Sequence, residues 1–149
     1  MKKYLVILVT AVIVALTGNC YAAHNKPEEA KALVKKAISF LKANGKEKAF
    51  AEFNDPKGQF VKGELYLFAI DLQGHMIAHG ANPKLVGKSM LDFKDADGVY
   101  FVQEFIKAAK KGGGWVQYKW INPVTRKTEP KDTFVEQIGD VIIACGIYH

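Results

Sequence analysis

The chain has 149 residues, is 49% hydrophobic and carries a formal net charge of +6. Its lysines are scattered over the polar sides of helical stretches, without the clustered basic stripe and interleaved aromatics that nucleic-acid binding requires, so that partner class is excluded. Only two cysteines occur, Cys20 and Cys145, too few for a disulfide framework.

Met1-Lys2-Lys3 is a short positive segment, and Tyr4 to Leu16 is almost unbroken apolar sequence. Thr17-Gly18-Asn19 breaks that run before the small-residue exit Cys20-Tyr21-Ala22. This order is that of a secretory signal, with cleavage expected after Ala22. The apolar run is shorter than the ~20 residues of a spanning helix, and retention as a membrane anchor is the alternative. Asn19 directly before Cys20 argues against lipidation. The domain expected outside the cytoplasm is therefore 23–149, with a charge of +4 once Lys2 and Lys3 are removed. Its length is near the mode for one domain. Cys145 would then be alone, with no intrachain disulfide, and its apolar neighbours make it a core residue.

Pro27 followed by Glu28 and Glu29 is a helix start. Ala30, Leu33, Val34, Ala37, Ile38 and Leu41 give one apolar stripe at helical spacing, and Asn44-Gly45 ends it. A shorter helix is expected from Lys46 to Phe53, closed by Asp55-Pro56-Lys57-Gly58. Residues 64–70 form a strand too apolar to have one face in water, and Asp71-Leu72-Gln73-Gly74 turns it back into Met76-Ile77-Ala78. A loop follows to Leu91. Asp95 or Asp97 is expected to cap a helix from Val99 to Lys111, stopped by Gly112-Gly113-Gly114. Strands are expected at 115–121, 132–138 and 141–148, the last two joined by the hairpin dipeptide Gly139-Asp140. The order α, α, β, β, α, β, β, β predicts an α+β domain: one antiparallel sheet of about five strands with helices on it.

From Tyr66 onward the sequence resembles a single Cache domain, the extracytoplasmic relative of the PAS fold. The stretches that carry the resemblance are Tyr66 to Gly74, His79 to Lys88 and Asp95-Ala96-Asp97-Gly98. After them come Gly114 to Trp120, Pro130-Lys131 and Gly146-Ile147-Tyr148. The leading helix fits the long N-terminal helix of that family. The resemblance implies a PAS-like sheet with a small pocket for acids of acetate, propionate or pyruvate size. It also implies a signalling partner, either a membrane sensor protein or a second copy of this chain. Cache domains usually sit between two membrane helices. This sequence ends at His149, just after its last strand, so the expectation is a stand-alone periplasmic sensor module.

The family position places Lys131 where an ammonium could pair with a carboxylate, and His79 where a ring nitrogen could donate to a ligand oxygen. Tyr66, Trp115, Tyr118 and Trp120 are aromatics on adjacent expected strands, suited to walling a small acid. Alternation puts Tyr118 and Trp120 on one face of their strand and Trp115 on the other. Plain core or surface roles compete for all six. His75 and His79 are four apart in an extended segment, which spans ~13 Å, so they do not share a metal. Asp95 to Gly98 resembles half of a calcium loop, but Phe93 would hold the first ligand position. Catalytic motifs such as Gly-x-Ser-x-Gly or His-Glu-x-x-His are missing. The expectation is a ligand-binding module without cofactor and without catalysis. The alternative is a ligand-free Cache-fold interaction or dimerisation module.

Overall fold

The computed structural model describes residues 25–149. The expected export segment 1–22, with Cys20, lies outside these residues. Helix α1 runs Lys26–Phe53, with Pro27 in its first turn and Glu28 and Glu29 beside its positive end. It is two helices in series, because Gly45 at φ 80°, ψ 167° breaks the helical path. That backbone conformation is open to glycine and strained for other residues. The expected boundary at Asn44-Gly45 is therefore the place where the first helix gives way to the second.

The sheet has six strands: β1 Val61–Lys62, β2 Leu65–Asp71, β3 Met76–His79, β4 Gly114–Ile121, β5 Thr128–Ile138 and β6 Val141–Tyr148. All pairings are antiparallel, in the order β1-β2-β6-β5-β4, with β3 on β2. The sequence pattern predicts about five. The extra strand is the two-residue β1, too short to leave a periodic pattern. A 3-10 turn at Pro83–Leu85 and helix α2, Phe101–Lys110, complete the chain.

Both faces of the central strands are covered, which explains why β2 and β6 are apolar throughout. Leu67 and Ala69 of β2, with Val141, Ile143, Cys145 and Ile147 of β6, pack on the α1 stripe. Tyr66, Phe68 and Ile70, with Ile142, Ala144 and Tyr148, face α2. Strand alternation sends successive residues to opposite cores. Helix α2 buries Phe101, Val102, Phe105, Ile106 and Ala109 on its inner face. Burial pushes the Cys145 thiol up to about 12, against the lowering effect of Lys131, so it sits in the core as a neutral thiol.

Asp95 and Asp97 do not cap α2; the N-cap position is Tyr100, with no side-chain cap bond. Asp95 staples instead. Its Oδ1 accepts the backbone N–H groups of Asp97 (2.9 Å) and Val99 (2.8 Å), and its Oδ2 accepts that of Lys119 on β4 (2.8 Å). Burial raises the Asp95 carboxyl, but those three N–H donors and Lys119 outweigh it and hold the group below its usual value. A depressed carboxyl contributes stability above its unfolded pKa, and that contribution is lost as pH falls through the folded one. Asp95→Ala is expected to cost about 1–2 kcal/mol in denaturant titrations at pH 7, and less near pH 3.

Candidate functional site

The site grows from the α2-facing side of the sheet, where Tyr118 of β4, Lys131 of β5 and Tyr148 of β6 stand in register. Lys131 is fully buried. Its side chain crosses Gly146, where a Cβ would collide with Lys131 Cε and Thr133 Oγ1. Lys131 Nζ donates to the Tyr66 hydroxyl at 2.7 Å. The amine also lies 4.1 Å from the Tyr66 ring centroid, 4.7 Å from that of Tyr148 and 5.6 Å from that of Phe68. It has aromatic faces around it and no carboxylate among its contacts with the described residues, an arrangement in which ring quadrupoles attract the ammonium. Burial lowers its pKa to about 7, opposed in part by Cys145.

The hydrogen bonds that leave Lys131 have one direction. The Tyr148 hydroxyl donates to the Ile121 carbonyl at 2.9 Å. Its oxygen is therefore the acceptor in the 3.0 Å contact between the Tyr66 and Tyr148 hydroxyls. Tyr66 accepts from Lys131 and donates to Tyr148. Burial pushes the Tyr66, Tyr118 and Tyr148 phenols above their ordinary range, so all three are neutral.

His79 ends β3 and is 4% exposed. Its backbone N–H donates to Asn54 Oδ1 (2.9 Å), and its Nδ1 accepts the Asn82 N–H (2.9 Å). With Nδ1 occupied as an acceptor, the proton of the neutral ring is on Nε2. Burial, with the charge of Lys131 second, lowers the pKa of His79 to about 3. The ring stacks on Phe68 at 5.8 Å and lies 4.9 Å from Tyr66. At neutral pH it is an uncharged hydrogen-bond donor.

Tyr118 stacks on Phe101 of α2 at 4.7 Å and 12°, and Trp120 meets the same ring edge-on at 5.2 Å. These rings, with Tyr66, Phe68 and His79, enclose an inner chamber of about 10 Å³, room for one water at most. Outside it lies a cavity of about 370 Å³, lined among others by Tyr66, His79, Lys84, Trp120, Asn122 and Arg126. Tyr66, His79 and Trp120 line both spaces and form the partition between them.

Of the six residues singled out in the sequence, Tyr66, His79, Tyr118 and Trp120 share one chamber, with Lys131 sealed behind Tyr66. Trp115 stands apart from the other five. Alternation along β4 turns it to the opposite face, where it lies 38% exposed, 5.4 Å from Phe134 and 5.9 Å from Lys31 Nζ. Sequence reading missed Tyr148, Phe101 and Gly146. A lone glycine inside the bulky run Ile142 to Tyr148 was the available clue, since strand glycines mark a close approach.

A sheet held between a long kinked helix and an aromatic chamber roofed by a short helix is the architecture of a sensor domain. The chain belongs to the single Cache domain 2 family, whose model matches residues 1–149. It is similar to the methyl-accepting chemotaxis protein of Vibrio parahaemolyticus RIMD 2210633, with TM-score 0.73 and 27% identity over 83% of this chain and 88% of that one. It is also similar to a Cache chemosensory domain solved for the structural basis of its carboxylic acid recognition, with TM-score 0.69 and 30% identity over 83% and 92%. The sensor histidine kinase MctS of Rhizobium johnstonii (strain DSM 114642 / LMG 32736 / 3841) is 35% identical over 85 residues, 56% of this chain and 18% of the kinase. The chain thus spans less than a fifth of that relative. No helix among the described residues is long and apolar enough to cross a membrane.

Proposed function

We propose that this chain is an exported sensor module for a short-chain carboxylate, with residues 1–22 as its export segment and no chemistry performed on the ligand. The observation that carries the reading is a buried lysine with no carboxylate among its contacts, placed behind a partition of hydrogen-bond donors. His79 Nε2–H would meet the carboxylate together with the Tyr66 hydroxyl, which would turn its proton from Tyr148 to the ligand, and Lys131 would supply charge through Tyr66. Tyr118 and Trp120 would wall the alkyl end, which requires the inner chamber to widen. Trp115 has no part in this site. The recognition of carboxylic acid by one structural neighbour supports the same ligand class.

The small inner chamber favours a second reading, a Cache-fold interaction module whose pocket is filled by its own side chains. One thermal-shift series separates the two. Carboxylates of two to four carbons, including acetate, propionate, pyruvate and succinate, are titrated into the protein, with amines and amino acids alongside. At a hundredfold excess over Kd, a bound acid contributes about 2.7 kcal/mol, and a rise of several degrees is the expected result. A flat response to every compound would reject the sensor reading in favour of the interaction module.

A further inference from the structure

The outer cavity carries chemistry that a monocarboxylate would not use. We propose that it is a second anionic subsite, so that the ligand is a short dicarboxylate, from malonate to glutarate. One end would meet Tyr66 and His79, and the other would meet Arg126 and Lys84. The inference rests on the carboxylate reading above and narrows its ligand class.

Size is the first argument. The inner chamber has room for one water, whereas the outer cavity, at about 370 Å³, falls in the range of small-molecule sites. A two- or three-carbon acid held at the partition would leave most of that space to solvent.

Charge is the second. Lys84 and Arg126 both line the cavity, and no aspartate or glutamate is among its lining residues in the described part of the chain. Neither cation is in an ion pair among the described residues. The carboxylates next to Asn122 already have partners. Asn122 Nδ2 donates to Glu64 Oε2 (3.1 Å) and Glu129 Oε2 (2.7 Å), Lys26 pairs with Glu64 (2.7 Å), and the Thr125 hydroxyl donates to Glu129 Oε1 (2.6 Å).

The backbone at Arg126 is the third. It is the one non-glycine with positive φ among the described residues, at 64°, in a conformation that glycine or asparagine adopts more readily. The turn that holds it is well tied. The Asn122 carbonyl accepts the Arg126 N–H (2.9 Å), Asn122 Oδ1 accepts the Val124 N–H (2.9 Å), and the Asn122 N–H donates to the Lys127 carbonyl (2.8 Å). A guanidinium on such a turn is a planar fork matched to a carboxylate, with the ammonium of Lys84 supplied by the Pro83–Leu85 turn.

The test compares succinate with propionate by calorimetry at pH 7, on wild type, Arg126→Gly and Lys131→Met. Glycine suits the φ of 64°, so Arg126→Gly removes the guanidinium and keeps the turn. Succinate is expected to bind at least tenfold tighter than propionate, and Arg126→Gly is expected to cut that preference at least tenfold. Propionate binding as tightly as succinate, or a preference that survives Arg126→Gly, overturns the subsite. In those cases, propionate binding that disappears in Lys131→Met still leaves the monocarboxylate reading standing. Binding of neither acid overturns both.

Discussion

Lys131→Met is expected to raise stability at pH 6 by about 1–4 kcal/mol while it abolishes carboxylate binding. The lysine is fully buried, and burial is the main cause of its pKa falling to about 7. In the unfolded chain the same amine keeps its proton to about pH 10.5. Between these values the unfolded state binds more protons than the folded one, so stability rises with pH across the window 7 to 10.5. Below pH 7 the amine is charged in both states, and the full desolvation penalty falls on the folded protein. Methionine has similar length and no charge to desolvate. Its gain is reduced by the lost bond to Tyr66 and the lost contacts with the aromatic faces. Denaturant titrations of both proteins at pH 6, 8 and 10 check this. The expected difference is largest at pH 6 and shrinks towards pH 10. A variant less stable than wild type at pH 6 would show that the aromatic faces compensate the charge in full. Acid affinity in wild type is likewise expected to fall by roughly tenfold per pH unit once the amine has lost its proton.

Gly146→Ala is the second large effect, with an expected loss of about 3 kcal/mol, at the upper end of the usual range for overpacking. Nothing in the backbone explains it, since Gly146 is not among the positive-φ glycines. The cause is the crossing of Lys131 and Thr133 over the space where a Cβ would stand. Neither neighbour moves freely, because Lys131 Nζ is tied to Tyr66 and the Thr133 hydroxyl donates to Tyr118 at 3.3 Å. In a Lys131→Ala/Thr133→Ala background the same substitution is expected to cost less than about 1 kcal/mol. The difference is a coupling energy of the kind a mutant cycle isolates, read from chemical denaturation. A similar penalty in both backgrounds would place the strain in the backbone of β6.

These two residues also mark where the sequence stopped being legible. The stripe from Ala30 to Leu41, the apolar runs of β2 and β6 and the inner face of α2 are local patterns, and each corresponds to an element in the structure. Gly139-Asp140 likewise announced the hairpin between β5 and β6. Strand β5, however, begins at Thr128, four residues before the expected Asp132, because Pro130 reads as a strand breaker. It is accommodated opposite Lys119, with its carbonyl accepting the His149 N–H at 3.1 Å. Alternation in β4 alone separates Trp115 from Tyr118 and Trp120, so its place on the far face is a local property of the strand. The crossing of Lys131 over Gly146 is not, because it depends on the register between two strands, which no local window contains. Arg126 reads as an ordinary turn residue for the same reason: its cavity is assembled from segments distant along the chain.

The Asp95 staple has a further consequence, for contacts between molecules. Strand β4 is the last strand of the sheet, and an outer strand offers unpaired backbone groups to any passing chain. Asp95 occupies the Lys119 N–H from outside, and Asp97 pairs with the Lys119 ammonium at 2.9 Å. A foreign strand arriving along this margin therefore meets a position already filled by a carboxylate and a charged pair beside it. The loop that precedes α2 thus blocks strand pairing at Lys119.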